Sequence, residues 1–365
     1  TTAETTGKDV SEAVETAENT VDGTDVDSDA GVKPNPDAVR EKLNDALKQL
    51  KMVRLEILME MENWEEVLKE VEELLKTSPQ DMKLLQFKLS AQISLEKLAE
   101  AAETLSVMID ENPLDTQLYI LRGQIYLATE KLELALEDFK QAEVVDGDAE
   151  SVFELKVATL VQLKRYEEAQ KEMDAQLEKD PENPALLIQV GMLQIQCENY
   201  EKALEFGQKA EKALPPLEED SGAENHQLVY QYLANWYLMA GEHAESVTYY
   251  EKCLEIASEN ALVLNNLAWV LCTSPDEEVR DGKRAVELAK KAVELEPSPG
   301  YMSTLAAAYA EIGDFKMAME TINQGLKAAE GDAEMTASLE EEKASYDAGK
   351  PVRERTETYR GKKTE

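Results

Sequence analysis

Histidine is nearly missing from this chain, with His226 and His243 the only two among 365 residues. A histidine-based metal site or a catalytic triad therefore has almost no raw material. Cysteine is scarce too. Cys197, Cys253 and Cys272 are an odd number, none sits in a metal-ligand spacing, and all three read as small core residues. Aromatics make up only 6% of the chain while charged residues reach 31% and hydrophobic ones 43%, a mixture that suits helices stacked in a row better than one compact globule. No run of about 18 apolar residues occurs, so no helix spanning a bilayer is expected. Nor is there the apolar run of a signal peptide. The chain starts at Thr1 rather than methionine, and the expectation is that processing has removed whatever came before.

Positive charge is the other shortage. Lys and Arg number 38 against 76 Asp and Glu, a formal net charge of -38, with a pI near 4.4. Binding nucleic acid or an anionic lipid surface needs clustered cations, so neither role is expected of the body of the protein. The sequence has no glycine-rich phosphate loop and no nucleophile elbow, and His243-Ala244-Glu245 has the wrong order and spacing for a zinc protease. No catalytic residue, metal ligand or cofactor is expected.

Residues 1–35 are rich in Thr, Asp, Glu, Gly, Ala and Val and lack a sustained apolar stripe. Too little apolar area is present to offset the entropy of ordering them, so they read as a disordered acidic leader, with one or two transient helical turns between Val10 and Ala17. At Pro36-Asp37 the character changes. Val39, Leu43, Ala46, Leu47 and Leu50 recur at helical spacing, and a folded array is expected from 36 to 346.

Within that array Pro79, Pro113, Gly147, Pro181 and Pro215 stand 34 residues apart. Proline cannot continue a helix, and its fixed φ pre-forms a turn, so each marks the end of one unit and the approach to the next. Small and aromatic residues repeat with the same period. Residues 116–149 carry Tyr119, Gly123, Tyr126, Ala135, Phe139 and Ala142; later windows carry Gly191, Tyr200, Ala203 and Ala210, then Ala234, Tyr237, Gly241 and Tyr250, then Ala306, Tyr309, Gly313 and Ala318. Trp64, Ala101, Tyr166 and Ala169 keep part of the pattern in the weaker windows.

Period and residue types together resemble the tetratricopeptide repeat family. The resemblance implies an all-α, right-handed superhelical solenoid of helix pairs, with units at 48–81, 82–115, 116–149, 150–183, 184–217, 227–260, 261–298 and 299–332. A capping helix at 333–346 and a basic tail at 347–365 complete the division. The period is interrupted between Pro215 and Ala223 and again between Thr273 and Asp281. A narrower likeness lies in Arg280 to Ala289 (RDGKRAVELA), Leu305 to Glu311 (LAAAYAE) and Ala348 to Pro351 (AGKP), which is similar to a bacterial subset of the family whose members are often exported. It implies a bacterial source, with an exported or periplasmic location favoured over a cytoplasmic one.

Family membership implies that the first helix of each pair lines a concave groove that holds peptides or proteins. Mapped onto this chain, those positions include Ile93, Gln117, Gln124, Met192, Ile195, Leu228, Gln231, Asn235, Leu262, Asn265 and Trp269. The candidate protein-binding residues are Gln117, Gln124, Met192, Ile195, Gln231, Asn235, Asn265 and Trp269, a surface of amides and apolar side chains. It lacks the Lys and Arg with which other members of the family clamp acidic C-termini. The alternative to a partner groove is that these residues face helices of the same superhelix, or residues 36–47 folded back over them. Trp64, Trp236 and the His243 ring read as core, whereas Trp269 is expected on the groove. The expected function is a non-enzymatic scaffold for a protein or peptide partner. The alternative is a structural subunit that self-associates or assembles through its ends, helped by the net basic tail.

Overall fold

The computed structural model describes residues 36–146, 150–217 and 222–354. The acidic leader, most of the basic tail and part of the Pro215–Ala223 interruption lie outside them. Among the described residues there are seventeen α-helices and no strand. The chain divides into two compact units, one ending at Arg165 and the other beginning at Tyr166.

In the first unit, α1 (Pro36–Glu60), α2 (Trp64–Leu75), α3 (Met82–Ser94), α4 (Leu98–Glu111), α5 (Thr116–Ala128), α6 (Leu132–Val145) and α7 (Glu150–Gln162) follow one another, each packed on the next. The second unit continues with α8 (Tyr166–Lys179), α9 (Pro184–Gln196), α10 (Tyr200–Lys212), α11 (Gly222–Ala240) and α12 (His243–Ile256). It closes with α13 (Ala261–Thr273), α14 (Gly282–Leu295), α15 (Pro299–Glu311), α16 (Phe315–Ala328) and α17 (Ala333–Asp347). Neighbours in the chain pack again, and α13 also lies directly on α15, as α15 does on α17. Helix α1 runs unbroken through 25 residues. Residues 36–47 therefore lengthen that helix and do not fold back.

Within the helix pairs one turn is built seven times. Glu62, Glu96, Glu130, Lys164, Glu198, Gly241 and Gly313 all have φ between 55° and 81°. The residue after each donates its N–H to the carbonyl five positions back, as Lys97 does to Gln92 and Lys131 to Tyr126, at 2.8 Å. This is the left-handed closure that satisfies carbonyls left over at a helix end. Between α13 and α14 it gives way to a loop, where the Asp281 N–H reaches the Leu271 carbonyl at 2.9 Å.

Helix starts show the complementary device. Asp81, Asp115, Asn183, Asn260, Ser298 and Asp332 accept backbone N–H groups in the first turns of α3, α5, α9, α13, α15 and α17. Of the helices that follow a left-handed turn directly, α2, α4, α6, α10 and α12 have no side-chain cap, whereas α16 is capped by Asp314.

Small residues then let the helices close up. A methyl group added at Gly123 would come within 2.6 Å of the Phe139 ring, and one at Gly191 would meet the ring of Trp236. Phe139 is fully buried with Leu105, Ala135 and Ala142 in the first unit; Trp236, Leu233 and Ala203 share a core in the second. Each such large apolar side chain contributes about 1.5–3 kcal/mol on burial.

Candidate functional site

The first helices α3, α5, α9, α11 and α13 of their pairs carry exposed side chains, whereas α15 has none. In the first unit, Gln117 and Gln124 are exposed on α5, and Ile93 on α3 is 37% exposed. In the second unit, Met192 on α9 is 43% exposed, Leu228 on α11 is 49% and Leu262 on α13 is 44%. Ile195, Gln231, Asn235, Asn265 and Trp269 are half-buried beside them. Large apolar side chains left in water amid amides suit an extended or amphipathic segment, because amides pair with backbone while the apolar groups cover side chains.

Three of the expected binding residues turn out to be engaged within the chain. The Asn235 carboxamide oxygen accepts from the Tyr250 hydroxyl at 2.5 Å, tying α11 to α12. Asn265 donates to the Asn266 side chain at 3.2 Å, while its own amide oxygen is buried without a protein partner. Trp269 is not an open anchor, because its indole Nε1 donates to Glu354 Oε2 at 2.7 Å.

That last bond belongs to a cluster formed by the described start of the tail. The Glu354 N–H donates to the Thr273 carbonyl at 2.8 Å, and Thr273 Oγ1 lies 3.4 Å from Glu354 Oε2. Arg353 donates to the Cys272 carbonyl at 3.3 Å and pairs with Glu311 at 2.6 Å. Glu311 is also held by Arg280 at 3.0 Å, and Arg280 is anchored on the Ser274 carbonyl at 2.8 Å. Val352 packs on the same core. Sequence reasoning noticed the tail's charge but not its seat, since Trp269 and Glu354 are 85 positions apart.

Other polar groups lock helix to helix. Arg122 makes a two-pronged pair with Asp138 at 2.6 and 2.8 Å, and hydrogen bonding to that carboxylate holds the guanidinium above its usual range. Lys156, almost wholly buried, reaches Glu143 at 2.7 Å. In the second unit, Tyr249 and Lys252 both donate to Glu211, at 2.6 and 2.8 Å. The Lys252 ammonium stands 4.2 Å from the centre of the Tyr249 ring.

His243 is a packed ring, as its spacing suggests. Burial holds it below its ordinary value, against the pull of Glu354, Asp276 and Glu242. Burial pushes the Cys253 thiol up to about 12 and raises Cys272 as well, so both remain thiols at neutral pH. Cys197 departs from the expectation of a core residue, since it is exposed at the end of α9. Among the described residues no group of three or more His, Cys, Asp or Glu is arranged to hold a metal ion, and no helix is long and apolar enough to cross a membrane.

Residues 210–339 match one family model described as tetratricopeptide repeat, and residues 116–143 match a second with the same description. No curated protein matches the chain. Among solved structures, the C-terminal part of a tetratricopeptide repeat-containing protein from Cytophaga hutchinsonii is 17% identical, with a TM-score of 0.50. That match covers 69% of this chain and 98% of the other. A tetratricopeptide repeat protein from Parabacteroides merdae is 16% identical over 76% of this chain and 97% of its own, with a TM-score of 0.45. The pilF protein of Pseudomonas aeruginosa is 18% identical over 62% and 97%, with a TM-score of 0.46. Residues 116–143 and 210–339 are thus similar to tetratricopeptide repeats, and each of the two compact units is an all-α array of consecutively packed helices.

Proposed function

We propose that this protein is a non-enzymatic scaffold that holds a peptide or protein segment on the groove faces of its first-of-pair helices. Tetratricopeptide proteins generally mediate protein–protein interactions, and the observation supporting that reading here is the row Met192, Leu228 and Leu262. Three large apolar side chains stand uncovered on α9, α11 and α13, next to the half-buried Ile195 and Gln231. The first unit offers Gln117, Gln124 and Ile93 in the same way. Isolated exposed apolar residues are ordinary, but repetition on equivalent helices offers a ligand several anchors at once.

The test is affinity capture with the wild-type chain and with a Met192→Asp, Leu228→Asp variant. Because both side chains already face water, the variant should keep its helical circular dichroism. Partners retained by the wild type should be lost at least tenfold, as expected when two apolar anchors worth about 1 kcal/mol or more each are replaced by charge. Undiminished capture would place the binding surface elsewhere.

A further inference from the structure

The seat of residues 352–354 has the composition of a recognition site. On the receiving side stand Trp269 Nε1–H, the Thr273 hydroxyl, the carbonyls of Cys272 and Thr273, and the Glu311 carboxylate. All are fixed by the body of the protein. Thr273 Oγ1 donates to the Trp269 carbonyl at 2.7 Å, and Arg280 holds Glu311 by Oε1, leaving Oε2 to Arg353. The two carbonyls belong to the last turn of α13, where helical geometry leaves acceptors without internal donors. The incoming side is minimal. One basic side chain, followed by the backbone N–H and acidic side chain of the next residue, engages these groups.

The strap is also set apart from the helix before it. Gly349, at φ +67°, closes α17 in the left-handed conformation, and Lys350 N–H bonds back to the Ser345 carbonyl at 3.0 Å. Pro351 then commits the chain to an extended path. Beyond this hinge the strap leans on side-chain and helix-end groups without helical bonds of its own.

We propose that the end of α13 with Glu311 is a second peptide site, selective for an extended segment carrying a basic residue followed by an acidic one, and that residues 352–354 occupy it as a tethered ligand. Opposite charges give the site its direction. Glu311 reads the basic side chain, while the neutral Trp269 indole N–H reads the acidic one. A tethered segment competes at an effective concentration on the order of millimolar, so an outside segment binds well only when the strap is disabled or outcompeted. This inference stands apart from the groove reading, since it does not use Met192, Leu228 or Leu262.

The probe is a fluorescein-labelled synthetic peptide with the sequence of residues 348–356, titrated by anisotropy against full-length chains. Arg353→Ala, Glu354→Ala protein should bind it at least tenfold more tightly than wild type, and adding Trp269→Phe, which keeps a ring but removes the N–H, should reverse the gain. A peptide with the Arg and Glu exchanged should bind at least tenfold more weakly than the native order. Equal affinity for wild type and the double variant, no binding to either, or indifference to the exchange would each overturn the proposal. A second measurement uses wild type alone. Excess unlabelled peptide should speed amide exchange at Glu354, and an unchanged rate overturns the proposal even if the double variant fails to fold. Met192→Asp, Leu228→Asp protein should bind the peptide like its parent, so the groove reading and this one fail separately.

Discussion

At the scale of single residues, the turns that close helix pairs hold Glu or Lys where glycine is the unstrained choice. Glu62, Glu96, Glu130, Lys164 and Glu198 all sit in the left-handed region. A side chain there costs roughly 1–2 kcal/mol because Cβ crowds the following carbonyl. Glycine removes that crowding, though it adds freedom to the unfolded chain. Replacing Glu96 or Glu130 with glycine should therefore raise the urea midpoint, by about 0.5–1 kcal/mol of stability each. No gain, or a loss, would mean that these side chains make compensating interactions.

At the scale of elements, the helix starts from α2 to α6 divide by what precedes them. Asp115 caps α5 through the Gln117 N–H at 3.1 Å, whereas α6 begins straight from the turn at Glu130 without a side-chain cap. Asp115→Ala should cost about 1 kcal/mol in urea unfolding, and Lys131→Ala at the uncapped start of α6 clearly less. Equal losses would contradict the division of labour.

The sequence revealed helices, their period and the all-α class because Pro79, Pro113, Pro181 and Pro215, with Gly147 in the middle place, mark steps of 34 residues. The left-handed turns share that period but went unread, since Glu and Lys do not announce φ > 0 as glycine does. The candidate groove was legible in part. Met192 and Gln124 face water, as helix position implies, but helix position could not reveal that Tyr250 takes Asn235 or that Glu354 takes Trp269. Such pairings depend on which distant segment arrives, and the local pattern carries no record of it.

At the scale of the whole molecule, a formal charge of -38 over 365 residues opposes the close approach of copies and favours encounters with basic partners. The short strap sets Arg353 against the half-buried Glu311 of this acidic body. The scaffold account requires that captured protein contact the uncovered faces of first-of-pair helices. Photo-crosslinking tests this most directly, with benzoylphenylalanine placed singly at Met192, at Leu228 or, as a control on a second-of-pair helix, at the exposed Leu295. The account predicts adducts to the captured partner from positions 192 and 228 and none from 295. Adducts from 295 alone, or adducts from 192 and 228 only to a second copy of the same chain, would contradict it.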